Sequence, residues 1–178
     1  MITIDGGTGI IRHNGVEIAS DKMHDQWVIE SSTSAEGFTD NIPTSWTRSS
    51  LAYTATYLTG MSHSSGVFTF PKTGVYRVDF RLGYYKNDSH KRYVGALIEL
   101  STDSGSSYGD AGRSYTHLYD VDGNNTFNTT IVYSHINVQN ASTYRIRFKI
   151  PTQSDVTIYG DTDDVRTAVQ FERLSSST

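Results

Sequence analysis

Six histidines are the first residues to weigh for chemistry, because imidazole changes its charge near neutral pH and ligates metals. His13, His24, His63, His90, His117 and His135 show no His-x-His or HExxH spacing, so they read as turn and surface residues. His117 and His135 fall on neighbouring expected strands and are the one pair that could meet across a sheet. No G-x-S-x-G elbow is present, and no two carboxylates stand out as a flanking pair for glycoside cleavage. The chain therefore reads as a non-enzyme.

Two acidic turns offer the compact oxygen ligands that Ca²⁺ prefers: Asp120-Val121-Asp122-Gly123-Asn124 and Asp161-Thr162-Asp163-Asp164. Neither continues to the Glu that an EF-hand loop requires, and Asp and Asn favour turns for local hydrogen bonding alone. No cofactor is implied, and Ca²⁺ at Asp161, Asp163 and Asp164 is the metal reading to test. Arg77, Arg81, Arg145, Arg147 and Lys149 alternate with apolar residues on two strands. Their outward face reads either as a subunit or acidic-glycan surface, or as a solvated face paired to Asp79 and Glu172. Trp46, Tyr84, Tyr85 and Tyr108 are candidate stacking platforms for sugar; Tyr84, Tyr85 and Tyr93 equally suit an interface or ordinary packing.

The elements that would position these residues are strands. Tyr76, Val78, Phe80, Leu82 and Tyr84 share one face of a period-two segment, with Arg77, Asp79 and Arg81 on the other. Tyr144, Ile146, Phe148 and Ile150 alternate in the same way with Arg145, Arg147 and Lys149. Further strands are expected over 26–30, 51–58 (Leu51, Tyr53, Ala55 and Tyr57 on one face), 67–70, 93–101, 113–119, 129–138, 156–159 and 165–174. About nine or ten short strands separated by turn signals indicate an all-β sandwich or barrel. No window has helical spacing, and no repeat suggests a propeller.

Composition agrees. The 178 residues include 12 Tyr and 7 Phe, a bias that suits pleated surfaces. A net charge of −4 without a basic tract gives no footprint for nucleic acid. The apolar runs are too short for membrane insertion, and the start lacks the pattern of a secretory signal. With zero Cys there is no disulfide framework, so core packing and association must supply stability.

The phrase Ser65-Gly66-Val67-Phe68-Thr69-Phe70-Pro71-Lys72-Thr73-Gly74-Val75-Tyr76 resembles the complement globular-head and tumour-necrosis-factor-like jelly rolls. Its specific part is Pro-x-x-Gly-x-Tyr, and Ala168 to Leu174 resembles the closing strand of those domains. The usual cysteines and a collagen-like stem are missing, so signalling functions are not carried over. The resemblance implies a ten-stranded, two-sheet jelly roll that packs as a homotrimer.

Ile2-Thr3-Ile4-Asp5-Gly6-Gly7-Thr8-Gly9 is similar to segments of phage fibre and virion structural proteins. Asn14-Gly15 signals a tight hairpin behind it. The expected organisation is a docking arm over 1–25, a connecting segment with one short strand over 26–45, a jelly-roll knob over 46–174 and a polar tail over 175–178. The function expected is that of a trimeric knob or decoration protein on a virion surface. It would be made in the host cytoplasm, contact other virion proteins through its arm and touch host-surface glycan. The alternative is a bacterial extracellular carbohydrate-binding or adhesin module.

Overall fold

Alternation is the organising fact of the segment Gly74–Lys86, here β9, and the computed structural model shows where each of its faces goes. The structure describes residues 1–4, 11–14, 16–17, 23–50, 59–86, 90–121 and 123–178. β9 runs antiparallel to β12 (Thr126–Val138) over its whole length, from Lys86 opposite Thr126 to Gly74 opposite Val138. Its other edge is shared. β15 (Ala168–Ser175) pairs with residues 75–81, and β14 (Val156–Asp161) pairs with Tyr84 and Tyr85. Between these two partners Thr167 fills the gap: its hydroxyl accepts from the Gly83 N–H at 3.1 Å and donates to the Gly83 carbonyl at 3.0 Å.

Beyond β15 lie β4 (His24–Ile29) and β6 (Trp46–Arg48), and beyond β14 lies β5 (Ser31–Ala35), completing a seven-stranded sheet. The facing sheet has five strands in the order β11 (Gly109–Leu118), β10 (Lys91–Ser101), β13 (Arg145–Lys149), β8 (Val67–Thr69) and β7 (Ser62–Ser64). At one corner β11 lies beside β12, joined by side chains: the Asn128 amide donates to the His117 carbonyl, and the Ser134 hydroxyl to the Ala111 carbonyl. Three short strands, β1 (Ile2–Ile4), β2 (Ile11–His13) and β3 (Val16–Glu17), make a separate sheet at the N-terminus. Asn14 takes the positive φ of 51° that a tight turn demands; Gly15 is outside the described residues.

The core is aromatic. Phe148 meets Phe80 at 5.1 Å, Phe68 at 5.6 Å, Trp46 at 5.8 Å and Phe171 at 6.0 Å, so both sheets meet on one ring. Each such side chain contributes about 1.5–3 kcal/mol by leaving water. The Pro71-x-x-Gly74-x-Tyr76 phrase has a local cause. Tyr76 donates its hydroxyl to the Lys72 carbonyl at 2.9 Å, tying the turn back to the strand. Gly74, at φ 152°, sits where a Cβ would meet Arg173 Nε at 2.5 Å and the Ser175 carbonyl at 2.6 Å.

Two expectations need correction. Residues 26–45 are more than a connection, since β4 and β5 are members of the large sheet and Trp27 and Ile29 lie in the core. The sandwich thus begins at Met23 instead of Trp46. β4 pairs with β15, nearly the whole chain away in sequence, and no local turn signal reveals such a partner. The weak strand expected at 113–119 is Gly109–Leu118, paired along β10. The strand expected at 51–58 lies outside the described residues.

One polar group sits inside this frame. Asp25 is fully buried, and its carboxylate accepts from Trp27 Nε1 at 2.9 Å and the Met61 N–H at 2.7 Å. Arg48 grips it with Nε at 3.0 Å and Nη2 at 3.1 Å, and lies 4.3 Å over the Trp27 ring. A buried carboxylate is tolerated only with such compensation. Asp25→Ala removes the acceptor for four N–H groups on three residues, and we expect it to lower the unfolding free energy by about 3 kcal/mol in denaturant titrations followed by tryptophan fluorescence.

Candidate interaction face

Every candidate residue now has a place, and the places differ. Trp46 is only 6% exposed; it packs on Phe68, Phe80 and Phe148 and donates Nε1 to the Pro43 carbonyl at 2.9 Å. It is a core residue and cannot be a sugar platform. Tyr84 points inward beside it in the β9 alternation, with its hydroxyl 3.3 Å from the His117 carbonyl. Burial pushes that phenol up to about 12. Tyr84 too is excluded from surface recognition. Tyr108 is half-buried beneath the Arg147 guanidinium, 3.9 Å from its ring. Of the four, Tyr85 alone joins an exposed aromatic group, with Phe127 at 5.2 Å and Tyr159 at 5.5 Å.

The basic residues do not form one face. β9 and β13 belong to different sheets, so Arg77 and Arg81 face outward on one side of the molecule and Arg145, Arg147 and Lys149 on the other. Alternation says which residues share a strand face; it is silent on which sheet a strand joins. On the five-stranded side the charges are answered locally. Arg147 Nε meets Glu99 at 2.6 Å, Lys149 Nζ meets Asp40 at 2.5 Å, and Arg145 donates to the Tyr144 and Ser142 carbonyls. The hydrogen bond that Lys149 donates to Asp40 raises the Lys149 pKa. On the other side Arg77 binds Asp79 at 2.9 Å, and that hydrogen bond raises its pKa.

The acidic turn after β14 sends its carboxylates to separate partners. Asp161 accepts from the Asp163 N–H, Asp163 accepts from the Ser50 hydroxyl, and Asp164 pairs with Arg166. Among the described residues no three acidic or histidine side chains converge on a metal position. In the other turn Asp122 is outside the described residues. His117 and His135 do not meet: His117 stacks near Tyr119 at 4.7 Å, and His135 near Tyr133 at 6.3 Å, at opposite ends of the β11–β12 corner.

What the sequence reading missed is an apolar ridge. Among the described residues ten large hydrophobic side chains are exposed, and six of them (Tyr115, Tyr119, Val121, Phe127, Ile131, Tyr133) lie on β11, β12 and the turn between. A clustering of this kind marks an interaction site more often than scattered exposure does. The signal was present in β12, where Phe127, Ile131 and Tyr133 are apolar on one face and Val132, Ile136 and Val138 on the other. A strand with only one buried face would not need both.

Beside the ridge, the outer face of the large sheet carries a shallow depression of about 410 Å³. Arg77, Asp79 and Arg81 from β9 stand next to Gln170 and Glu172 from β15, with His24 beyond. The apolar outer residues of β12 thus border this polar depression directly, with Ile131 lining it.

No protein-family model matches the sequence, and no curated protein is similar to it at the sequence level. Solved structures do match in shape. The chain superposes on murine APRIL at pH 8.0 with a TM-score of 0.52 and 11% identity, covering 86% of this chain and 100% of that one. It superposes on Eiger TNF from S. frugiperda with a TM-score of 0.56 and 9% identity, covering 88% and 94%. Murine APRIL at pH 5.0 gives 0.53 and 14%, with 86% and 100% covered. The fold is thus a tumour-necrosis-factor-like jelly roll, as the Pro-x-x-Gly-x-Tyr resemblance implied.

The loop that carries Tyr108 has its own titration. Asp103 accepts from the Ser107 hydroxyl at 2.6 Å, the Ser107 N–H at 3.0 Å and the Ser101 hydroxyl at 2.7 Å. These bonds, those from Ser107 foremost, pull its pKa from 3.8 to about 2. A folded pKa below the unfolded value means stability present above the unfolded pKa and lost as pH falls through the folded one. Amide exchange at 102–108 should accelerate between about pH 4 and pH 2, and Asp103→Asn should show fast exchange already at neutral pH.

Proposed function

We propose that this chain is a non-enzymatic structural and recognition module: a homotrimeric jelly-roll knob carried on the surface of a phage particle. The observation that carries the reading is the ridge of Tyr115, Ile131 and Tyr133 standing beside the depression at Arg77, Asp79 and Glu172. Two unlike surfaces on one subunit make a head-to-tail contact, and such a contact closes into a ring when the rotation allows. Three copies would each lay the ridge against the next copy's large sheet. That would cover apolar surface which otherwise faces water. The resemblance to trimeric globular heads supports the same stoichiometry.

The charge pattern fits this use. Arg77 and Asp79 answer each other within the subunit, so covering that pair strands neither of the two charges. Arg145, Arg147 and Lys149 on the opposite sheet remain at the outside of such an assembly. A chain with zero Cys draws no stability from disulfides, and association is the natural supplement.

The small N-terminal sheet is assigned to docking on the particle. Its strands span two or three residues each and cannot bury a core alone. The exposed Met1 and Ile2 give it apolar groups for a neighbouring virion protein. We assign the knob to recognition of host-surface glycan, with no role for nucleic acid, membrane insertion or a resident metal. The exposed aromatic group at Tyr85 would serve equally well in a bacterial extracellular carbohydrate-binding or adhesin module, and that is the second reading.

Sedimentation equilibrium of the whole chain should give three times the monomer mass at micromolar concentration; a monomer overturns the assembly. The double variant Ile131→Lys, Tyr133→Glu should weaken association by roughly thirtyfold or more while the far-ultraviolet circular dichroism stays unchanged. Removing residues 1–20 should leave a folded trimer that no longer attaches to particles. A truncated chain that still docks removes the role given to the arm.

A further inference from the structure

The shared edge of β9 leaves a cleft. At Gly83 the ladder passes from β15 to β14, and because Gly83 has no side chain the floor there stays open. The walls are Phe127, Thr129 and Tyr159, with Arg81 and Arg166 at the rim, enclosing about 140 Å³. A Cβ on residue 83 would lie 2.9 Å from the Arg166 carbonyl, so the floor is glycine by necessity.

The aromatic wall is prearranged. Phe127 and Tyr159 lie 5.7 Å apart, each touches Tyr85, and Phe127 is 56% exposed. Arg166 is already committed: it pairs with Asp164 at 2.9 Å and lies 4.0 Å over the Tyr159 ring, fixing that ring in place. The Asn128 amide is spent on Thr116 and His117. Arg81 differs. Among the described residues its guanidinium has no ion pair and no hydrogen bond, although a guanidinium offers five donors in a planar fork.

An exposed aromatic wall takes the C–H face of a sugar ring, and a free guanidinium beside it takes a carboxylate in bidentate fashion. We propose that the Gly83 cleft binds an acidic monosaccharide unit, its ring on Tyr159 and Phe127 and its carboxylate on Arg81. This deepens, and rests on, the glycan-recognition part of the reading above. A polyanion is disfavoured, because Asp161, Asp163 and Asp164 stand on the adjoining turn and the chain carries a net charge of −4. One carboxylate meeting one arginine fits that field; a string of sulfates does not. Phe127 and Tyr159 lie at the far end of the ridge from Tyr133, while Arg81, the register partner of Ile131, stands between the cleft and the depression, so its guanidinium must stay at the margin of the subunit contact.

The test is ligand-observed NMR titration of the full chain with the methyl glycoside of N-acetylneuraminic acid, methyl glucuronide, neutral methyl glucoside and acetate. At least one acidic glycoside should bind saturably, and the neutral glycoside roughly tenfold or more weakly. Arg81→Gln should abolish the preference for the acid, and Tyr159→Ala should weaken every sugar; both positions are at the surface, so unchanged melting curves show the variants intact. Silence with both acids, undiminished binding in either variant, or acetate binding as tightly as the glycosides overturns the proposal. The two readings fail separately. A chain absent from particles that still binds the acid keeps the cleft, and a particle-borne chain with a silent cleft loses the cleft alone.

Discussion

β9 is the constraint on which the rest of the molecule depends. Its thirteen residues have both ladder edges occupied and one face sealed under aromatic rings, so neither register nor orientation is free. A slip of one residue would turn Tyr76, Val78, Phe80, Leu82 and Tyr84 to the outside and bring Arg77, Asp79 and Arg81 in. That penalty fixes β12 along one edge and β15 along the other, and through β15 it places β4 and β6. The second sheet is then set by one contact layer, the rings around Phe148.

Much of this was legible before any coordinates. Alternation in β9 and β13 named their inward residues correctly, because period two is a local property of a chain with one buried face. The Pro71-Gly74-Tyr76 phrase was legible for a local reason too, since a hydroxyl reaching back four residues needs that spacing. Pairing was not legible. Nothing near Trp27 announces that its partners are Val169 and Arg48, and nothing in β13 tells which sheet it joins. The basic face was therefore drawn across two strands that lie on opposite sides.

The surface residues failed for a related reason. Trp46 and Tyr84 have the chemistry of a sugar platform but are consumed by the core, where large rings bury the most area. Phe127, Ile131, Tyr133 and Tyr159, by contrast, drew no notice in a run of strand residues. Their message lies in being exposed, and exposure is a property of the assembled sandwich. Inner faces hold the fold together while outer faces hold whatever specificity the molecule has. Asp25, linking β4, β6 and the stretch before β7, belongs to the first group despite its charge.

The Thr167 hydroxyl that spans Gly83 has a consequence for how such a molecule can change over generations. Two hydrogen bonds from one side chain mark the boundary between the frame of β9 and β15 and a margin made of β14 and β5. Within 150–166 the side chains of Ile150, Val156 and Ile158 belong to the core, so change is open only at the outward positions and at the exposed turn of Asp163 and Asp164. The margin is thus an evolvable cassette. New walls can be tried on its outward positions while its inward ones keep their place in the core.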